Sequence, residues 1–230
     1  MCGRYVRSSG AQSVREQFGV EAEVGPQEHA DWRPRFNVAP GQWAPVVRVV
    51  DARRQIAWLR WGLVPPWAHA DLGQRSINAR AETVGRLPSF RAAFRARRCV
   101  VPADAFYEWQ AVPGAKHKQP WCIRRRDGAL LAMAGLWEHW QPRGAEQALE
   151  SFSVITTQAS GWMAPVHARM PAILDREGVA AWLQASTPAE ILQALLCPAP
   201  EEILERYPVG QAVGNPRHEG PQLIEPVVTR

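Results

Sequence analysis

Ile56-Ala57-Trp58-Leu59-Arg60-Trp61-Gly62-Leu63-Val64 reads with a period of two: Ile56, Trp58, Arg60 and Gly62 alternate with the apolar Ala57, Leu59, Trp61 and Leu63, and Pro65-Pro66 ends the run. Side chains of a strand point alternately to opposite faces, so one wholly apolar face marks a strand with a buried side. Pro45 to Val50 gives a second strand just upstream. Downstream, Cys99 to Trp109, Trp121 to Arg126 and Ser151 to Thr157 are further strand candidates, and Ala129 to Trp140 is apolar enough for a central strand. Helical patterns are fewer. Ser9 to Phe18 has Ser9 and Gln12 at capping-box spacing, with Val14 and Phe18 on one face. Pro88 to Arg97 has Phe90 and Phe94 four apart. Asp175 opens a helix through Gln184, and Thr187-Pro188-Ala189-Glu190 opens another with an N-cap, a first-turn proline and a capping-box glutamate. Gly19 to Pro40 has no clear period. Short strands that outnumber helices without alternating with them predict an α+β fold: one domain over residues 1–230, built on a mostly antiparallel, barrel-like β-sheet with flanking helices. The proline-punctuated tail after Pro198 is expected to wrap the surface.

A chain of 230 residues is long enough for one sizeable core. No apolar run approaches the roughly 20 residues that cross a bilayer, and Gly3 and Arg4 directly after Cys2 do not start a secretory signal. A cytoplasmic, nucleoid-associated location and no membrane partner are therefore expected. Arginine supplies nearly all of the positive charge behind the net +5, Lys116 and Lys118 being the only lysines. Guanidinium forks suit phosphate contacts, yet a GC-rich genome produces the same bias, so charge alone leaves nucleic-acid binding open. Of the 11 tryptophans most should fill the core, with some exposed for stacking. Cys2, Cys99, Cys122 and Cys197 form no C-x-x-C pair, so neither a zinc site nor any other metal or organic cofactor is expected. Cys99 and Cys122, in apolar strand-like runs, read as buried and inert. No oligomerisation stripe is visible, and a monomer is expected.

Cys2 is chemically distinct. A residue this small at position two is expected to lose the initiator Met1, which leaves an α-amine beside a thiol. An α-amine of pKa roughly 7.7–8.0 is substantially neutral at physiological pH, whereas a lysine amine near 10.4 is not. Such a 1,2-aminothiol condenses with an aldehyde to an imine, and the sulfur closes on the imine carbon to form a thiazolidine. The same thiol can instead serve as a peptidase or amidohydrolase nucleophile with its own amine as base.

Met1-Cys2-Gly3-Arg4-Tyr5, Arg35-Phe36-Asn37-Val38-Ala39-Pro40, Trp61-Gly62-Leu63-Val64-Pro65 and Asn78-Ala79-Arg80-Ala81-Glu82-Thr83 resemble motifs of the SRAP family, the SOS-response-associated peptidases or abasic-site-processing proteins. Arg98-Cys99-Val100-Val101-Pro102-Ala103-Asp104-Ala105-Phe106-Tyr107-Glu108-Trp109, Ala134-Gly135-Leu136-Trp137-Glu138 and His167-Ala168-Arg169-Met170-Pro171 continue the series in family order, so that the resemblance spans almost the whole chain. It implies the SRAP fold and a role in the DNA-damage or SOS response. The expected partner is single-stranded DNA with abasic sites, including sites at single-strand/duplex junctions. The expected reaction is capture of the ring-opened deoxyribose as a thiazolidine on Cys2, with β-elimination as a possible lyase side reaction. A cysteine peptidase that removes its own leading residue and a non-covalent single-strand binder are the alternatives.

The resemblance also implies roles for single residues. Asn78 would hold the sugar hydroxyl or the adduct, and Asn37 would steady the N-terminal segment at the DNA interface; for a lone asparagine a turn or cap is the plainer role. Glu108, after two aromatics, would be a proton shuttle raised by desolvation, against a salt-bridged strand glutamate. His167 would protonate the ring oxygen as the sugar opens, against a structural histidine. Arg80 and Arg169 would grip phosphates beside the lesion, unless either pairs with an acidic neighbour such as Glu82. Trp67 with Pro40 would form an apolar wedge against a base, unless Trp67 fills the core. The sequence departs from the family at Ala105, where glycine is common before Phe-Tyr-Glu-Trp, and at Ala168, which puts the backbone presenting Glu108 in question.

Overall fold

The hairpin made by β4 (Trp43–Val50) and β5 (Arg53–Trp61) is the first half of a closed barrel. Its turn places Asp51 and Ala52 both in the left-handed region, at φ 50° and 59°, the conformation whose twist matches that of a two-residue hairpin. β4 pairs with β7 (Arg98–Ala103), β7 with β10 (Leu131–Trp140), and β10 with β11 (Leu149–Gln158), all antiparallel. A parallel contact of Ser151 and Phe152 with Arg60 and Trp61 closes the ring as a five-stranded mixed barrel. The structure is a computed structural model and describes residues 2–25, 29–68, 76–141 and 148–227.

The alternation in β5 decides what lies inside. Ala57, Leu59 and Trp61 pack with Val46, Val101, Met133, Phe152 and Val154 in one buried cluster, while Ile56 joins Val47, Val100, Ala134 and Ile155 in the cluster outside the ring. Gly135 lets the barrel close tightly, since a Cβ there would sit 2.9 Å from Cys99 Sγ. The strand stops at Trp61, short of the expected Val64, because Gly62 adopts φ 125° and reverses the alternation, sending Leu63 to the outer cluster.

The expected strand from Cys99 to Trp109 is two strands in different sheets. β7 belongs to the barrel, and β8 (Ala105–Gln110) belongs to a five-stranded antiparallel sheet. Asp104 makes the crossing: its carboxylate accepts from the backbone N–H of Ser8 and of Ser9 and from the Ser9 hydroxyl. Ser9 is thereby spent, and α1 (Ala11–Phe18) starts after Gly10 without a capping box. The second sheet also holds β1 (Tyr5–Arg7), β3 (Arg35–Val38), β9 (Gln119–Arg125) and β13 (Leu204–Pro208), in the order β13-β9-β8-β1-β3. Tyr5, Val38, Phe106 and Ile123 pack into the barrel cluster, and Val6, Tyr107 and Cys122 on the opposite face are covered by Val209, Val213 and Leu223. The tail therefore does more than wrap: it supplies an edge strand and a lid of buried side chains.

The short β2 (Ala22–Val24) runs parallel to β5, β6 (Asn78–Arg80) runs parallel to β11, and β12 (Arg169–Pro171) pairs with the other side of β11. Helices α1, α2 (Arg91–Ala96), α3 (Arg176–Leu183) and α4 (Ala189–Ala194) cover the outer cluster through Val14, Phe18, Phe94, Trp182 and Leu192. Asp175 caps α3 as expected, accepting from Gly178 N–H. Thr187 does not cap α4: its hydroxyl donates to the Ala181 carbonyl, and the helix begins one residue later, after Pro188. The buried Arg98 guanidinium donates to the carbonyls of Phe94, Arg95, Trp182 and Gln184, which ties together the carbonyl ends of α2 and α3. No helix among the described residues is long and apolar enough to cross a membrane.

Candidate nucleic-acid site around Cys2

β1 lies between β3 and β8, with Tyr5 opposite Val38 on one side and Phe106 on the other. The residues before it continue along β8, since Tyr107 N–H donates to the Arg4 carbonyl. Carrying that antiparallel register back brings Glu108 across from Gly3, beside Cys2. From the barrel side, Asn78 at the start of β6 donates from Nδ2 to the Cys2 carbonyl at 2.8 Å. Cys2 itself is buried. Met1 lies outside the described residues, and so does the expectation that it is removed.

His167 joins from the turn before β12. Its Nδ1 is 3.9 Å from Glu108 Oε1, a contact too long for a hydrogen bond. Arg169 N–H points at the same Nδ1 at 3.0 Å, which makes that nitrogen an acceptor and leaves the proton of the neutral ring on Nε2. The Arg169 carbonyl, 3.1 Å away, would take a proton from Nδ1 in the charged ring or in the other neutral tautomer. Three of the four expected catalytic groups, Cys2, Glu108 and His167, thus converge with the fourth, Asn78, from four separate segments of the chain.

Burial sets the electrostatics. It pushes the Glu108 carboxyl up to about 7, so that both protonation states exist at neutral pH. It pushes the Cys2 thiol well above the ordinary thiol range, and the Glu108 charge adds to that, so the sulfur is protonated at neutral pH. His167 is lowered by burial, which favours the neutral ring. The second polar atom of that amide, Asn78 Oδ1, is buried with no hydrogen-bond partner among the described residues. An unsatisfied buried acceptor costs about 1–3 kcal/mol, and a ligand hydroxyl or amine would relieve it.

Around this centre the expected contact residues divide. Trp67 is 64 % exposed, which removes core packing as its role, and Pro40 is exposed as well. Arg80, at the end of β6, is exposed. Arg169 pairs with Glu82 at 2.7 Å and also donates to the Thr156 carbonyl, and this arginine holds the Glu82 carboxyl below its ordinary range. Asn37 requires a correction. It is fully buried, its Oδ1 accepts from Arg4 Nη1 at 2.9 Å, and its Nδ2 faces the carbonyls of Val213, Asn215 and His218. With its amide used inside the protein it offers a DNA strand nothing. It does steady the N-terminal segment, through Arg4, which also donates to Val213 and Gly214.

One supporting group had no signal in the sequence. Arg206 of β13 lies over the rings of Trp121 (5.3 Å) and Trp162 (4.7 Å) and donates to the Trp162 carbonyl. Trp121 is paired with Glu108, and the Trp162 turn leads through the His167 N–H···Met163 O bond (3.2 Å) to His167. Arg206 therefore ties the strand beside Glu108 to the turn that carries His167. Such a contact between distant strands leaves no periodic or spacing pattern.

A family model described as SOS response associated peptidase (SRAP) matches residues 1–216. The chain is 38 % identical over 228 residues to the abasic site processing protein YoqW of Bacillus subtilis, covering 98 % of this chain and 99 % of that one. It is 30 % identical over 266 residues to the abasic site processing protein HMCES of Gallus gallus, covering 99 % of this chain and 78 % of that one. Among solved structures, a protein from Bacteroides thetaiotaomicron superposes with a TM-score of 0.88 at 25 % identity, over 99 % of this chain and 100 % of the other.

Proposed function

Since the chain belongs to the SRAP family, we propose that it processes abasic sites, capturing the ring-opened deoxyribose aldehyde in single-stranded DNA as a thiazolidine on Cys2 once Met1 is removed. The observation that carries the reading is the convergence on a buried Cys2 of an amide bonded to its carbonyl, a carboxyl at about 7 and a neutral imidazole. Arg80 and Arg169 hold the phosphates beside the lesion, and Trp67 with Pro40 wedges against the neighbouring base. The protonated Glu108, or His167 in its charged form, delivers a proton to the sugar oxygen as the ring opens. The Cys2 amine attacks the aldehyde carbon, and loss of water gives the imine. The thiol then adds through sulfur to the imine carbon while its proton passes to nitrogen, with Glu108 as the relay. β-Elimination from the imine would cleave the strand.

The protonated thiol favours this order over peptidase chemistry. A cysteine peptidase needs a thiolate, produced by a lowered thiol pKa, whereas burial here moves Cys2 the other way. An amine that leads and a thiol that follows needs no thiolate at the start. The test is a denaturing gel of the purified protein with an oligonucleotide carrying one abasic site. Intact mass must show Met1 absent, and a heat-stable adduct must form that Cys2→Ala abolishes. An adduct that persists in Cys2→Ala, or forms while Met1 is retained, overturns the mechanism.

A further inference from the structure

The segment that follows Asn78 and Arg80 is a single compact ridge. After β6, Thr83 and Val84 N–H donate to the Arg80 carbonyl, Arg86 and Leu87 to Thr83, Phe90 and Arg91 to Leu87, and Phe94 to Phe90, so that turns lead without interruption into α2. Val84, Phe90, Ala93 and Phe94 point into the outer core cluster. Arg91 and Arg95, four residues apart, lie on the helix face away from Ala93 and Phe94, and Arg86, Arg91 and Arg95 are all exposed. Arg86 donates to the Glu82 carbonyl, which anchors it next to the Glu82–Arg169 pair at the edge of the Cys2 site.

The charge of this ridge is one-sided. Between Arg80 and Arg98 the only acidic residue is Glu82, and it is occupied by Arg169. Among the described residues none of Arg80, Arg86, Arg91 and Arg95 pairs with a carboxylate. Elsewhere some surface arginines find one, as Arg15 with Glu23, Arg33 with Asp31, Arg35 with Glu219, Arg124 with Glu205 and Arg125 with Asp127, while others such as Arg53, Arg126 and Arg176 have none among the described residues but stand apart from one another in the chain. Four exposed like charges on one short segment repel one another, and a polyanion laid along them removes that repulsion while releasing its own counterions. A guanidinium row without aromatic side chains at its surface suits a phosphodiester backbone and gives no means of reading bases.

We infer that Arg86, Arg91 and Arg95 form a second, sequence-independent DNA-binding surface that takes the phosphodiester strand as it leaves the Cys2 site past Arg80. This rests on the abasic-site reading for its direction, but not for its test. The backbone track continues away from the reactive centre, so it governs how firmly a long strand is held and not how the aldehyde reacts.

The measurement uses Cys2→Ala protein, to exclude covalent capture, with an undamaged single strand of about 20 nucleotides, longer than the ~4–16 that one binding module covers. Fluorescence anisotropy is followed across a salt series. The triple variant Arg86→Gln, Arg91→Gln, Arg95→Gln is expected to lose ~10–100-fold in affinity at low salt and to flatten the slope of log K against log salt by about 2, from ~0.7 per phosphate contact on single strands. A control with the same charge loss, Arg53→Gln, Arg126→Gln, Arg176→Gln, removes three exposed arginines from other parts of the surface and is expected to leave the slope nearly unchanged. With Cys2 intact, the ridge variant should form the abasic adduct with a strand of about five nucleotides, the low end of the ~4–16 that one binding module covers, as fast as the parent protein, because the ridge takes no part in the reaction of the aldehyde. An unchanged salt slope in the ridge variant, or an equal loss in the control, overturns the proposal. Failure of the adduct with Cys2 intact would instead indict the reading of the reactive centre, and circular dichroism melts of the variants separate either result from misfolding.

Discussion

Replacing Glu108 with glutamine should make the protein more stable and less reactive, and only above a certain pH. Burial raises the carboxyl from its ordinary 4.5 to about 7 in the folded state, so between those values the folded protein holds a proton that the unfolded chain has released. Stability then falls as pH rises through that window, because the unfolded state binds fewer protons. At about 1.4 kcal/mol per unit over a rise of roughly two and a half units, the loss reaches about 3 kcal/mol by pH 8. Glutamine resembles the protonated acid and carries no such slope. Urea unfolding of wild type and Glu108→Gln should therefore give nearly equal stabilities at pH 4 and a variant more stable by ~2–3 kcal/mol at pH 8. Adduct formation on an abasic strand should fall by ~10²–10⁴-fold in the same variant, the range for loss of a general acid–base. A difference in stability that is the same at both pH values would refute the claim that this carboxyl is held above its usual range, whatever the effect on reactivity.

Other outcomes follow from single contacts. Ala52→Gly should raise stability by about 1 kcal/mol, read from the urea midpoint, since alanine at φ 59° bears a left-handed penalty of roughly 1–2 kcal/mol that glycine avoids. Arg206→Met should slow adduct formation at saturating DNA by ~10–100-fold through a displaced His167 turn, with strand affinity unchanged and partial recovery in Arg206→Lys; a change confined to affinity would contradict the positioning role. Glu82→Gln releases the Arg169 guanidinium and removes a negative charge beside the strand, so in Cys2→Ala protein the affinity for undamaged single strands should rise by ~2–5-fold, the scale of one exposed ion pair.

What the sequence discloses is what repeats. β5 was legible because six residues in phase are enough to tell a buried face from an exposed one, and β10 because its apolar run is long enough for a central strand. β2, β3, β6 and β12 are three or four residues long, two full periods at most, and were invisible as strands. The division of the Cys99–Trp109 run was hidden because Asp104 is one polar residue in an apolar stretch, and its partners Ser8 and Ser9 are almost a hundred residues upstream. For the candidate site, residue types and motif order singled out Cys2, Asn78, Glu108 and His167, and the fold brings them together. Exposure of Trp67 was legible locally, from the stiff Pro65-Pro66 before it. The burial of Asn37 was not, because it depends on carbonyls of residues 213–218 arriving from the far end of the chain.

The state of each proton around Cys2 supports one order of events. With the thiol held protonated by burial and by the neighbouring carboxylate, sulfur is a poor first nucleophile, and a free α-amine would be the stronger one. Opening the sugar consumes a proton at oxygen, losing water from the carbinolamine consumes another, and closing the ring moves one from sulfur to nitrogen. A carboxyl at about 7 can give and recover each of these, whereas one near 4.5 would rarely be protonated when needed. The imidazole at 3.9 Å, which burial holds toward its neutral form, adds no charge that would pull Glu108 back to its ordinary value. A permanently charged lysine or arginine in the position of His167 would do so, lowering the carboxyl and leaving the relay without its acid form. The same burial that makes Glu108 a liability for stability would thus let one carboxyl serve the proton transfers of the proposed sequence.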